Sequence, residues 1–419
     1  MKKIWYLLSL SIICVFTSSC KFVDKIFDFI DGIEDKDSGK VPSTPTFTPD
    51  DIKPGDYLYE EQQKLSVHFI DLDVSGDSIL LDYGEYEILI DAGGNKTAGT
   101  TIITPYLKQY VGDNRIELAI ATHGHEDHIA GFVGQSNKTS VFKEFSFGTI
   151  VDTGSGYENL NNKNELTSLQ KEYNSLREQK IADGANYYTI RDIFDKELQN
   201  WYIAPNFTFR FLKTKFYNIP FEKYTQNLND YSIATLLEYQ NHKFLFTGDL
   251  EEEGEKSLTE LSYLPEIDVF KAGHHGSKTA SSEKLVEIIK PKISIFTADS
   301  TNESTYNFPH VEAIERLKKY SNQFYTSYFN GHIVMEMEKT SQEIKINCLE
   351  NNEQFLVEEY TVAFETIKAI SSIGSKISSS SLSSIETAEN LYSKLTKQQK
   401  KYVYNIQTLI DARQEYESL

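Results

Sequence analysis

The sequence predicts a layered α/β domain, preceded by an export segment and followed by a small C-terminal three-helix domain. Three observations predict it. Short apolar strand-like runs alternate with helical stretches from about Leu65 to Leu349, the texture of stacked sheets and helices. Ahead of them lie twenty residues built like a leader. Behind them, from Ser380 onward, the chain has no glycine and takes up a helical period.

The leader, MKKIWYLLSLSIICVFTSSC, sets two lysines before an apolar run and closes on small residues and Cys20. Such a segment is read by the export machinery rather than folded. Its last four residues resemble a bacterial lipobox. That implies a signal peptide over 1–19, lipid attachment at Cys20, and an address on the extracellular face of the cell membrane. Four of the ten prolines fall between Pro42 and Pro54, so residues 20–60 read as a lipid anchor and a semi-rigid linker. With the leader removed and Cys20 lipidated, Cys348 is left alone, which excludes a disulfide framework. The formal net charge is -20. Such a surface repels polyanions on average, so a nucleic-acid substrate needs a local cationic site rather than a broad basic face.

From Leu65, LSVHFIDLD, SILLDYG and EILIDAGG read as strands separated by Gly and Asp turns. TTIITPYLKQYVG suits a helix, IELAIATHG a buried strand, and NELTSLQKEYNSLREQKIADG a long polar helix. Strands return at FTFRFL, YSIATLLEYQ and KFLFTGD, the last two joined by a turn at Asn241-His242. Helix EEEGEKSLTEL, strand IDVFKAG, helix SSEKLVEIIK and strand ISIFTAD follow. Pro309 suits the first turn of the helix PHVEAIERLKKY; GHIVMEME and EIKINCL close the domain, set at 61–349. In the tail, 350–419, Ile385, Ala388, Tyr392 and Leu395 share one helical face and Val403, Ile406 and Ile410 another. Thr396 and Gln399 form a capping box for the last helix, and serines 377 to 384 contain a flexible joint.

The chemistry concentrates in ATHGHEDHIAG, residues 121–131, where three of nine histidines and an aspartate occupy six positions. A loop with coincidental histidines is improbable at that composition. Imidazole and carboxylate at a strand-to-loop junction suit borderline or hard divalent metals. His123 and His125 project to one side while Asp127 and His128 sit further round the turn. The spacing therefore suits two adjacent ions, about 3.5–4 Å apart in such sites, each needing ligands from elsewhere. Asp249 ends the apolar strand FLFTGDL, where a carboxylate can bridge two ions. His274 and His275 end another strand between glycines. Neighbours on an extended chain point opposite ways, so one is expected as a ligand and the other to face substrate as acid or base. His68, His242 and His332 read as structural. His310, at a helix start beside the last core strand, is a candidate for the site.

In this order the stretches VHFIDLDVSGDSILL, ILIDAGG, ATHGHEDHIAG, NDYSIATLLEY, FLFTGDLEEEGEKSL, DVFKAGHHGSKTASSEKL, NFPHVEAIERL and GHIVMEM resemble the metallo-β-lactamase superfamily, and in particular the hydrolase domain of ComEC-type DNA-uptake proteins. The resemblance covers roughly residues 65 to 340. It implies an αββα sandwich and two divalent ions, zinc or manganese, on His123, His125, Asp127, His128, the bridging Asp249 and one of His274 and His275. His275 is expected as the ligand and His274 or His310 as the proton donor, with Asp127 counted as catalytic as well as a ligand. Many relatives place one more histidine before the bridging Asp. Here that neighbourhood reads QNLNDYS, so Asn229, Asp230, His310 or water takes its place. Asn229 and Ser277 are the expected substrate contacts; Asp91 either orients a ligand histidine or is a buried strand-end aspartate that caps a turn. The tail resembles three-helix modules of Gram-positive surface proteins, which implies a spacer or an attachment site for a cell-surface partner.

Together these readings expect a lipid-anchored, metal-dependent phosphodiesterase or nuclease acting on an extracellular phosphodiester, either nucleic acid or a surface polymer. Carboxyl chemistry, as in lactonases and β-lactamases, is the competing enzyme. A non-catalytic adhesion or scaffold protein is the reading from a different class.

Overall fold

The computed structural model describes residues 57–223, 225–298 and 306–419. Cys20, the leader and the proline-rich stretch lie outside the described residues. The strands are β1 Lys64–Phe69, β2 Ile79–Asp82, β3 Glu87–Ile90, β4 Arg115–Ile120, β5 Ser146–Asp152, β6 Asn186–Thr189, β7 Asn200–Ala204, β8 Phe207–Leu212, β9 Ala234–Tyr239, β10 His242–Phe246, β11 Val269–Lys271, β12 Ile293–Phe296, β13 Gln323–Thr326, β14 Ile333–Glu338 and β15 Lys345–Cys348. They form an eight-stranded sheet, β15-β14-β1-β2-β3-β4-β5-β6, and a seven-stranded sheet, β13-β12-β11-β10-β9-β8-β7. The principal helices are α1 Thr104–Tyr110, α2 Glu126–Val133, α3 Ser168–Ala182, α4 Glu252–Leu261, α5 Glu283–Ile289, α6 Val311–Leu317, α7 Val357–Ser371, α8 Leu382–Lys394 and α9 Ile406–Glu417.

Why the strands read as continuous apolar runs is clear from their packing. In β2, Ile79 and Leu81 enter one buried cluster together with Phe209, Leu237, Phe244 and Phe246 of the second sheet. Leu80 between them enters another, with Ile103, Leu107, Ile129 and Phe132 of the helical layer. Likewise Phe244 and Phe246 point inward while Leu245 meets Leu258, Leu285 and Ile314 on the outer face. Both faces of each sheet are covered, so successive side chains are apolar in both directions. The result is the expected αββα sandwich.

Strands β3 to β6 run parallel in one sheet and β10 to β13 in the other. In open parallel sheets the loops after strand C-termini line the functional crevice. Here the loops after β4 and before β9 are tied together, Ile233 N–H donating to the Thr122 carbonyl at 3.0 Å. Thr297 after β12 donates its hydroxyl to Asp77 Oδ1 at 2.6 Å.

Several local expectations shift. The β9–β10 turn is Gln240-Asn241, with Gln240 left-handed at φ 53°, and His242 is the first residue of β10. His310, not Pro309, is the N-cap of α6. β5, β6, β7 and β13 were absent from the expected series. β6 and β7 are short edge strands carrying Asn and tyrosines at half-buried or exposed positions, Tyr187 and Tyr202, which blurs the period-two pattern.

The tail shares its core with the sandwich: Tyr360, Ile367, Ile385, Tyr402 and Leu409 belong to the same buried cluster as Leu245 and Leu285. Within the expected joint, serines 379–381 form a 3₁₀ turn that runs straight into α8. The Thr396–Gln399 capping box is present, but it opens a single turn, Lys397–Lys400, and α9 starts afresh at Ile406. That offset turns Ile410 outward, 42% exposed, and puts Leu409 and Ala412 inside.

Candidate metal centre

The centre is assembled from chain reversals at four strand ends. After β3, Asp91 adopts a left-handed φ of 60° and aims its carboxylate at the next loop. It accepts from Thr122 N–H at 2.7 Å and from the Thr122 hydroxyl at 2.8 Å, and lies 2.7 Å from His128 Nδ1. After β4, His123 and Gly124 lead to His125, the N-cap of α2, so Asp127 and His128 stand in the first helical turn. The α2 loop seats closely on the Gly93-Gly94 turn: a Cβ on Gly93 would lie 1.6 Å from the Asp127 carbonyl oxygen, so only glycine fits.

After β10, Gly248 turns at φ 52° and Asp249 donates its N–H to Ser232 Oγ at 3.1 Å. After β11 the expectation of an extended chain fails. His274 and His275 are consecutive left-handed residues, φ 48° and 55°, a conformation that costs about 1–3 kcal/mol at a non-glycine residue. The curl brings both rings round to Asp249 instead of sending them apart. His275 Nε2 lies 3.3 Å from Asp249 Oδ2 and 3.3 Å from Asp127 Oδ2. His274 Nε2 lies 3.7 Å from Asp249 Oδ2, and its Nδ1 is 3.1 Å from Glu251 Oε1.

Asp127, His128, Asp249 and His275 therefore each offer a donor atom within 4.8 Å of all the others. His128 Nε2 is 3.1 Å from Asp249 Oδ2. Yet His128 Nε2, His275 Nε2 and both Asp249 oxygens are buried without a hydrogen bond. Buried acceptors and imidazole nitrogens that face one another at such distances, sharing no proton, fit a divalent cation between them. Beside this group His123 Nε2 stands 2.9 Å from His125 Nδ1, and Asn229 presents a buried Oδ1 without a hydrogen-bond partner.

Electrostatics divide the donors into a neutral imidazole pair and a group in which imidazoles and carboxylates stabilise one another's charge. Burial, then the neighbouring His128 and His125, hold His123 well below the usual imidazole value, and burial lowers His125, so both are neutral as ligands must be. Burial opposes charge on His128 and His275 too, but the carboxylates, Asp249 foremost, push both well above it. Burial raises Asp249, and His128 and His275 more than reverse it. Cations gather where the carboxylates crowd.

Three supporting groups had no role assigned from the sequence, although Asp77 lies in the first stretch that carries the family resemblance. Lys271, fully buried in β11, sets Nζ 2.5 Å from Asp77 Oδ2 and 3.7 Å from Asp249 Oδ1. Asp77 Oδ1 in turn lies 3.3 Å from His275 Nδ1, fixing that ring as Asp91 fixes His128. Glu251 holds His274; burial raises its carboxyl, but hydrogen bonds from His274, Thr279 and Asn229 bring it down to about 2. The available signals were a lysine inside the apolar run DVFKAG and Asp77 within VHFIDLDVSGDSILL.

The other expected residues fall nearby. Asn229 Nδ2 lies 3.5 Å from His274 Nδ1. Asp230 accepts from Gly254 N–H at 2.9 Å and from Glu251 N–H at 3.3 Å, steadying the start of α4. Ser277 is buried, its hydroxyl 2.9 Å from that of Thr279. His310 Nδ1 accepts from Lys278 N–H at 3.0 Å, and its own N–H donates to Gly276. His68 meets the Tyr106 hydroxyl at 2.8 Å and His332 accepts from Asp71 N–H at 2.9 Å.

A family model described as the metallo-beta-lactamase superfamily matches residues 72–140 and 218–296, the two stretches that carry every donor named above. Over these residues the chain is similar to the metallo-β-lactamase superfamily. Among curated proteins it is 32% identical over 105 residues to ComE operon protein 3 of Bacillus subtilis, covering 25% of this chain and 13% of that protein. It is 32% identical over 114 residues to Recombination protein 2 of Haemophilus influenzae, covering 27% and 14%. These matches bear out the likeness of the superfamily domain to ComEC-type proteins, although the shared stretch is a small part of their length. Similar solved structures include the metallo-beta-lactamase fold protein YhfI from Bacillus subtilis, with TM-score 0.38, 14% identity, and coverage of 66% of this chain and 100% of that one. A long form RNase Z from yeast has TM-score 0.40, 10% identity, and coverage of 85% and 45%.

Proposed function

We propose that this chain is a dinuclear, metal-dependent phosphodiesterase held at the outer face of the cell membrane by a lipid on Cys20. One observation carries the catalytic part: Asp127, His128, Asp249 and His275 each offer a donor atom within 4.8 Å of the others, and beside them stand His123 and His125, the His123 ring 4.2 Å from that of His128. Two divalent ions, zinc or manganese, would be held by Asp127, His128, Asp249, His275, His123 and His125, and would supply Lewis acidity and an activated water. The protein's own part is orientation and proton handling. Asp91 and Asp77 lock the rings of His128 and His275. Glu251 holds His274 Nδ1, which leaves Nε2 facing Asp249 and placed to give a proton to a leaving oxygen. Asn229 takes the place of the histidine found in many relatives. His310 steadies the 274–278 loop through Lys278.

A phosphodiester of nucleic acid is the preferred substrate, in keeping with a relative named as a recombination protein. The net negative surface makes the metal centre, rather than a basic face, the attraction for phosphate. The C-terminal helices are proposed to meet a cell-surface partner on their outer side.

The experiment is a panel of single-stranded DNA, duplex DNA, RNA, a choline phosphodiester, a lactone and a β-lactam, each with added zinc or manganese. Turnover of a phosphodiester, abolished in His123→Ala and Asp127→Ala with the fold intact, supports the proposal. Turnover of lactone or β-lactam alone overturns it in favour of carboxyl chemistry. Protein that retains no metal and turns over nothing is a scaffold.

A further inference from the structure

Beside the centre lies a flat aromatic feature that the metal chemistry does not use. Tyr306 is 65% exposed, and its ring stacks on Phe308 with centroids 5.5 Å apart and planes 12° apart. Phe308 is buried against the site, 5.6 Å from the ring of His274 and 6.0 Å from that of His275. An exposed tyrosine on a soluble surface needs no explanation singly. A tyrosine held parallel to a second ring that itself leans on the two histidines of the centre is a different object.

The surroundings hold it in place. Asn307, at φ 56°, accepts hydrogen bonds from Ser371 Oγ at 2.7 Å and Tyr404 Oη at 3.2 Å. Tyr360 of α7 donates to the Pro309 carbonyl at 2.7 Å. The C-terminal helices thus brace this wall of the centre. On the same side Lys278 is exposed, and its N–H is bonded to His310.

We propose that Tyr306, backed by Phe308, is a stacking subsite for an unpaired nucleobase one step from the scissile phosphate; this rests on the phosphodiesterase reading. The shape selects the occupant. A quaternary ammonium such as choline is held by several rings arranged as a cage. Two parallel rings make a single flat platform, which suits a planar base. A polyol-phosphate polymer has nothing planar to lay on it. A duplex keeps its bases stacked on one another, so the subsite favours single strands or frayed ends.

The test uses the full chain and a phosphorothioate-linked oligonucleotide carrying 2-aminopurine, whose fluorescence is quenched on stacking. Wild type and Tyr306→Phe are expected to quench, and Tyr306→Ala to bind on the order of tenfold more weakly with the quench lost. Alongside, the ratio of kcat/KM for a single-stranded oligonucleotide to that for a glycerol phosphodiester is expected to fall about tenfold in Tyr306→Ala. No quench in wild type, or equal quench and an equal ratio in Tyr306→Ala, overturns the subsite. Quenching without any phosphodiester turnover keeps the subsite and removes the phosphodiesterase reading. Turnover with neither quench nor base preference removes the subsite alone.

Discussion

Asp91 Oδ2 lies 2.7 Å from Nδ1 of His128, and neither side chain is exposed. The pair fixes the imidazole so that Nε2, and not Nδ1, faces Asp249. Partners of this kind hold ligand orientation and basicity, and losing one weakens metal binding about 10–100-fold. Asp91→Asn is therefore expected to fold, as judged by circular dichroism, and to lose metal on dialysis at concentrations where wild type keeps it. Elemental analysis reads the difference.

Lys271 is the cation that is present whether or not metal is bound. It neutralises Asp77 at 2.5 Å. Removing one partner of a buried pair leaves the other charge uncompensated, at a cost of about 3–5 kcal/mol. Lys271→Met is expected to lose that much in urea melts, and Lys271→Met with Asp77→Asn to recover a large part of it. Equal stability of the two variants would show that the charge pair is not what matters.

Removing metal should expose the same crowding. A ligand that binds only the folded state at a hundred times its Kd stabilises by about 2.7 kcal/mol. Chelation is expected to lower Tm reversibly, with zinc or manganese restoring it.

His68 offers a pH handle away from the centre. Burial first, then Lys64, lower its pKa from 6.5 to about 4. The folded state therefore takes up this proton less readily than the unfolded chain. The stabilising contribution is complete above pH 6.5 and falls away as pH drops toward 4, by roughly 3 kcal/mol in all. The stability difference between wild type and His68→Gln, measured by denaturant at pH 7 and pH 4, should narrow at the lower pH.

Cys348 is the free, buried thiol among the described residues. Burial pushes it from 9.0 up to about 11, which lowers the thiolate fraction at pH 8 by about a hundredfold. Alkylation followed by peptide mass spectrometry should mark Cys348 slowly in the native protein and fast in urea.

What the sequence by itself determined was local. Apolar runs with no polar face announced strands covered on both sides, and His123, His125, Asp127 and His128 announced a metal loop because no common structural role packs so many imidazoles together. Asp249 and the 274–275 pair were legible through their order along the chain. Tertiary structure decided what depends on direction and distance. Two left-handed residues turned His274 and His275 to the same side, against the extended-chain expectation. Asp77 and Lys271 became partners only because β11 crosses behind the β1–β2 loop, a contact between residues nearly two hundred positions apart. The tail's helices looked self-contained by period, but their buried face is completed by the second sheet and the Tyr306–His310 wall. A side chain's chemistry is written in its identity, but its partner and its orientation are set by how the backbone closes in space.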